Sequence, residues 1–143
     1  MRPAILFSLI LAATGCLDPL SLDRTLPVAL AVGASYSFGT PPPVMVQGGA
    51  RSLVVRGAPG LVCGVSRAEG TANLSGQGNI TISLHLYPWR WCSIAPVETP
   101  YEAIVTDIPP GAYDVTVIQS YFAYQDAEAQ VLFAGPIAVG SGS

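Results

Sequence analysis

The chain has 143 residues, half of them apolar and only a tenth charged, with 15 glycines and 13 prolines. That length suits one domain with a real core, and so much glycine and proline excludes long helices while suiting many short strands joined by turns. The net charge is −3, lysine is absent, and the six arginines (Arg2, Arg24, Arg51, Arg56, Arg67 and Arg90) are scattered; with no basic patch to neutralise a row of phosphates, nucleic acid is not an expected partner.

The chain opens MRPAILFSLILAATGCLDPL. Arg2 gives a positive start, and Ala4 to Ala13 form an apolar run well short of the roughly 20 residues that span a bilayer. This is the pattern of a secretory signal, followed by the small residues a signal peptidase requires. The alternative is a buried N-terminal helix or strand that happens to contain a cysteine.

Ala13-Thr14-Gly15-Cys16 resembles the lipobox of bacterial lipoprotein precursors, except that Ala13 stands where leucine is commonest. The resemblance implies a signal peptide over 1–15 and a mature N-terminus at Cys16, which carries a diacylglycerol thioether and, in many species, an N-acyl chain of the palmitate kind. Two or three chains hold firmly where one gives only marginal, reversible attachment. Leu17, rather than aspartate, follows the cysteine, which by the sorting rule of enteric bacteria favours the outer membrane. The resemblance thus implies a location on the bacterial envelope, facing the periplasm or the surface, with the membrane as a partner through the lipid.

With Cys16 set aside, Cys63 and Cys92 remain. An even remainder in an exported chain reads as one disulfide, and closing a loop of that length would stabilise the fold by roughly 3.5 kcal/mol on the chain-entropy account. The alternative is two unpaired buried thiols. Two cysteines and one distant histidine do not fit zinc-ligand spacing, so neither a metal nor a cofactor is expected.

Residues 16–43 read as the lipidated N-terminus and a tether, with LPVALAV (26–32) as a candidate edge strand; TPPP (40–43) then enforces a stiff, extended connection. The remaining chain, 44–143, reads as the strand-rich domain. ARSLVVRG (50–57) is bounded by glycines, and GLVCGV (60–65) follows the turn signal Ala58-Pro59-Gly60. TANLSGQGNITISLHLY (71–87) reads as a hairpin turning at Ser75-Gly76-Gln77-Gly78. In its second arm Ile80, Ile82, Leu84 and Leu86 share one face, and Thr81, Ser83, His85 and Tyr87 the other, the alternation of a half-buried antiparallel strand. EAIVTDI (102–108) and AYDVTVIQSYF (112–122) follow, and AQVLFAGPIAVG (129–140) is interrupted by Gly135-Pro136, which predicts a bulge or an edge strand. Seven or eight short strands predict an all-β sandwich of two antiparallel sheets.

DIPPGAYDVTV (107–117) is similar to the penultimate strand of immunoglobulin-like and prealbumin-like modules, in which a Pro-Gly turn precedes Tyr-x-Val-x-Val. The resemblance implies an immunoglobulin-like antiparallel sandwich in which Tyr113 buries its ring and returns its hydroxyl to nearby backbone as a corner lock. Val115 stands where an antibody domain has its second cysteine, so an antibody-type bridge between sheets is not implied.

Signals of chemistry are sparse. Ser66, in GVSRA, lacks the second glycine and the following helix of a nucleophile elbow. His85 is the lone histidine and falls on the polar face of a strand, where a solvated sheet residue is the plainer reading than a catalytic base. The nine carboxylates are dispersed. One cluster stands out in HLYPWRWC (85–92), where Tyr87, Trp89, Arg90 and Trp91 follow the longest strand. Aromatic faces at a sheet end can stack on sugar rings, with arginine beside them to take an acid group. Alternatively the tryptophans cover the disulfide and close one end of the sandwich. The sequence therefore predicts a non-catalytic, lipid-anchored module that meets an envelope protein, with a glycan or small ligand at the aromatic cluster as the alternative.

Overall fold

The computed structural model describes residues 23–37, 40, 42–61, 64–89, 97–121 and 128–141, and every regular element among them is a strand. Cys16, Cys63, Arg90, Trp91 and Cys92 lie outside the described residues, and with them the lipidation, the disulfide and half of the aromatic cluster. The strands are β1 (Arg24–Leu26), β2 (Val28–Val32), β3 (Tyr36–Ser37), β4 (Met45–Gly49), β5 (Ser52–Gly57), β6 (Gly60–Leu61), β7 (Val65–Leu74), β8 (Asn79–Pro88), β9 (Val97–Glu98), β10 (Tyr101–Val105), β11 (Gly111–Tyr121) and β12 (Glu128–Val139).

They form a five-stranded sheet ordered β1-β7-β8-β11-β12, a four-stranded sheet ordered β2-β10-β5-β4, and a small sheet of the two-residue strands β3-β9-β6. The fold is an all-β sandwich. Its core is the apolar half of each alternating strand: Ile80, Ile82 and Leu84 of β8 and Val115 and Val117 of β11 are fully buried in one cluster with Leu53, Val55, Ala103 and Val105 of the other sheet. Each such side chain contributes roughly 1.5–3 kcal/mol by leaving water.

Three features differ from the expected pattern. Every ladder is antiparallel except β8–β11, which is parallel over Asp114–Tyr121. The apolar segment 26–32 is two strands rather than one: β1 pairs with β7 in the larger sheet and β2 with β10 in the smaller. Pro27, which has no N–H to give a ladder, stands at the crossing and accepts a hydrogen bond from the Thr106 N–H at 3.1 Å. Finally, β12 is the edge strand that Gly135-Pro136 predicts, but it runs unbroken through that pair. Its bulge falls at Leu132, as the register passes from Val117↔Phe133 to Ile118↔Val131.

Both sides of the sandwich are seamed. The β1–β2 crossing joins the sheets on one side. On the other, the Gly140 N–H donates to the Gly49 carbonyl and the Arg51 N–H to the Gly140 carbonyl, each at 2.9 Å. The approach there is so close that a Cβ on Gly48 would land on the Ala138 carbonyl oxygen.

The registers also give the molecule two unlike ends. At one, the turn pole, lie Asp23, the tight connections 50–51, 75–78 and 106–110, and the end of β12. At the other, the loop pole, lie the connections 33–35 and 58–59, residues 42–44, Gly64 and Trp89, with the small sheet. Side chains tie the turn pole down. The Tyr113 hydroxyl donates to the Pro109 carbonyl at 2.7 Å, Arg24 Nη2 donates to the Asp107 carbonyl, and the Gly76 N–H donates to Asp23 Oδ1 at 3.1 Å. Burial pushes the Tyr113 phenol above its ordinary range, and the charge of Arg24 partly opposes this.

Candidate functional site

The described part of the aromatic cluster sits at the loop-pole end of the β7–β8 hairpin. A bulge at Ser66 lets the register pass from Val65↔Pro88 to Arg67↔Tyr87, and the Ser66 hydroxyl faces the carbonyl oxygens of Tyr87 and Pro88 at 3.0 and 2.9 Å. That bulge places Arg67 directly opposite Tyr87, and the guanidinium lies 4.4 Å from the ring centroid. Arg67 Nη2 also meets Glu69 Oε1 at 3.1 Å, while the Tyr87 hydroxyl donates to Glu69 Oε2 at 3.1 Å. Tyr87 is thus held by its own neighbours, and one face of its ring is already covered by a cation. Trp89 differs: it follows the strand, its backbone N–H donates to the Gly64 carbonyl at 3.1 Å, and its side chain is 60% exposed. A tryptophan so exposed is not closing the sandwich, and among the described residues it is the aromatic side chain at this end most open to stacking.

The registers bring together three residues that the sequence keeps apart. Glu69 and Ser120 both neighbour His85, one on β7 and one on β11. A Glu-His-Ser row has the ingredients of a nucleophile with its base, but the arrangement works against one. Both Glu69 oxygens are engaged by Arg67 and Tyr87, and Ser120 is only 8% exposed. Among the described residues no three His, Cys, Asp or Glu side chains converge as a metal site would require.

A second site lies on the outer face of the four-stranded sheet. There an apolar cleft of about 510 Å³ opens toward the loop pole, with Ala31, Pro42, Pro43, Met45 and Pro100 among its walls. The ion pair Arg56 Nε–Glu102 Oε2, at 2.6 Å, crosses its floor between β5 and β10. Tyr101, at the cleft's buried margin, lays its ring across Gly57. Its hydroxyl is buried without a hydrogen-bond partner among the described residues, and desolvation pushes its pKa up to about 12. Reading one face at a time missed this cleft. The available signal was that VALAV, SLVV and EAIV are apolar on both faces rather than alternating, as strands covered on both sides are. A smaller polar hollow of about 330 Å³ at the turn pole is lined by Asp23, Arg24, Asn73 and Ser75 among others.

The chain matches no protein-family model, no curated protein and no solved structure.

Proposed function

We propose that this protein is a lipid-anchored envelope module of the immunoglobulin-like or prealbumin-like kind, which works by binding rather than by catalysis. The signal over 1–15 directs export, Cys16 carries the lipid, and the Cys63–Cys92 pair staples the loops. The observation that supports display is the placement of Asp23 at the turn pole, opposite the loop pole with its exposed Trp89 and apolar cleft. A tether from Cys16 to Asp23 can extend roughly 25 Å, so lipid would hold the turn pole toward the membrane while the loop pole meets an envelope protein. Replacing the lipidated thiol tests this: Cys16→Ser should move the protein from the membrane fraction to the soluble one. Unchanged detergent-dependent partitioning sinks the anchor.

The exposure of Trp89 supports a second reading, in which the loop pole takes a glycan or small ligand. Tyr87 is a poor stacking partner with Arg67 over its ring, so this reading rests on Trp89 with Arg90 and Trp91 beside it in sequence. Titration with a panel of envelope glycans should quench or shift tryptophan fluorescence, and a flat response across the panel removes the reading.

A further inference from the structure

The outer faces of the two sheets are unlike. On the five-stranded sheet the outward rows read Thr25–Asn73–Thr81–Thr116–Ala134 and Thr71–Ser83–Ile118–Val131; six of these nine side chains are polar, and the apolar ones, Val131 at 59% exposure among them, gather toward the β12 edge. On the four-stranded sheet the outward rows read Ala31–Glu102–Arg56–Met45 and Ala29–Ile104–Val54–Gln47. Five of these eight side chains are apolar, Met45 is 51% exposed, and the lone charges are the Arg56–Glu102 pair. A face of this kind is ordinarily covered.

We propose that a second copy of this chain covers it, through a two-fold axis parallel to the strands and lying between β10 and β5. Rotation about that axis preserves the level of each row and reverses its order. Arg56 of one copy then lies over Glu102 of the other, and Met45 lies over Ala31. In the next row Val54 lies over Ile104, and Gln47 over Ala29. Opposite charges and large-over-small pairs arise together from one operation, as an isologous interface requires. A two-fold at right angles to the strands through the charged row instead sets Arg56 over Arg56 and Glu102 over Glu102, which like charges disfavour. Within one copy the ion pair uses Arg56 Nε and Glu102 Oε2; a guanidinium carries five donors and a carboxylate two oxygens, and the facing copy supplies partners for the rest. Small side chains at Ala29 and Ala31 allow the roughly 10 Å approach of stacked sheets.

Four strands about 4.8 Å apart and five residues long give a footprint of roughly 300 Å² per copy, small beside the roughly 800 Å² per partner of stable complexes. The association is therefore weak and driven by concentration. Its test does not involve the lipid anchor, so it can fail while the proposed function stands, and the reverse. Sedimentation of the purified full chain in mild detergent, up to about 1 mM, should show the mass rising from one chain toward two. Arg56→Glu and Glu102→Arg should each weaken the association about tenfold or more. An equimolar mixture of the two should restore it, because one copy then presents two carboxylates and the other two guanidinium groups. The doubly reversed chain should associate like the original. Circular dichroism and melting temperature confirm that these exposed substitutions leave the fold intact, and Ala31→Arg should abolish association by steric and charge conflict. A single-chain mass at every concentration overturns the proposal. So does association indifferent to the single charge reversals, a mixture that stays monomeric, or a monomer that carries a small apolar molecule in the cleft by native mass spectrometry.

Discussion

Two tyrosines, one at each end of the sandwich, are equally buried at 4% exposure and do opposite things. Tyr113, at the turn pole, donates its hydroxyl to the Pro109 carbonyl. Tyr101, at the loop pole, spreads over Gly57 with no hydrogen-bond partner for its hydroxyl among the described residues and its proton held to about pH 12. The same side chain locks a turn at one end and carries an unmet polar group at the other. The turn pole is therefore the stabilising end, and the loop pole is the end where stability is given up beside an open apolar cleft.

The largest test of that contrast lies at the seam nearest the turn pole. Gly48→Ala must push the chain off the Ala138 carbonyl, and overpacking of this kind costs about 3 kcal/mol; urea unfolding measures it, and a loss below about 0.5 kcal/mol means the seam is slack. Tyr113→Phe strands a carbonyl that had a donor, so a loss of about 1 kcal/mol is expected in the same experiment. Tyr101→Phe removes a hydroxyl that has no partner among the described residues and should leave stability at neutral pH unchanged or raised by up to about 1 kcal/mol. Its signature is alkaline. The folded pKa of about 12 lies above the ordinary value of 10.0, so the folded state keeps the proton longer. The contribution of Tyr101 is complete below pH 10 and is lost as pH rises toward 12, at up to about 1.4 kcal/mol per pH unit. The Phe variant should lose that component of the slope, and an unaltered slope would place the titrating group elsewhere. Trp89→Ala should change stability least, by about 0.5 kcal/mol at most, and a larger loss would make Trp89 part of the scaffold.

Much of the fold was legible in local pattern. Ile80 to Leu86 alternates cleanly and is the arm it promises, and Ser75 to Gly78 turns the hairpin, with Gly78 at φ 78°. What was not legible depends on partners distant in sequence. Nothing in β8 or β11 announces that they run parallel. Leu26 to Val32 reads as one apolar segment until Pro27 is seen dividing it between two sheets. Gly135-Pro136 pointed to a bulge or an edge strand, and β12 is an edge, where a missing N–H costs nothing; the position of the bulge, at Leu132, was not legible. For the candidate site, the sequence marked Tyr87 and Trp89 as a pair, whereas the Ser66 bulge and Arg67 separate their roles. The outer row Ala31–Glu102–Arg56–Met45 draws one residue from each of four strands, so no reading of a single segment could assemble it.

The crossing at Pro27 has a mechanical consequence. A pull on Asp23 directed out of the turn pole runs along the axis of β1 and β2, across hydrogen bonds that stand perpendicular to it. The load is shared in shear by β7 in one sheet and β10 in the other, rather than opening one bond at a time as peeling would. A chain tugged from its leading end would resist with both layers at once.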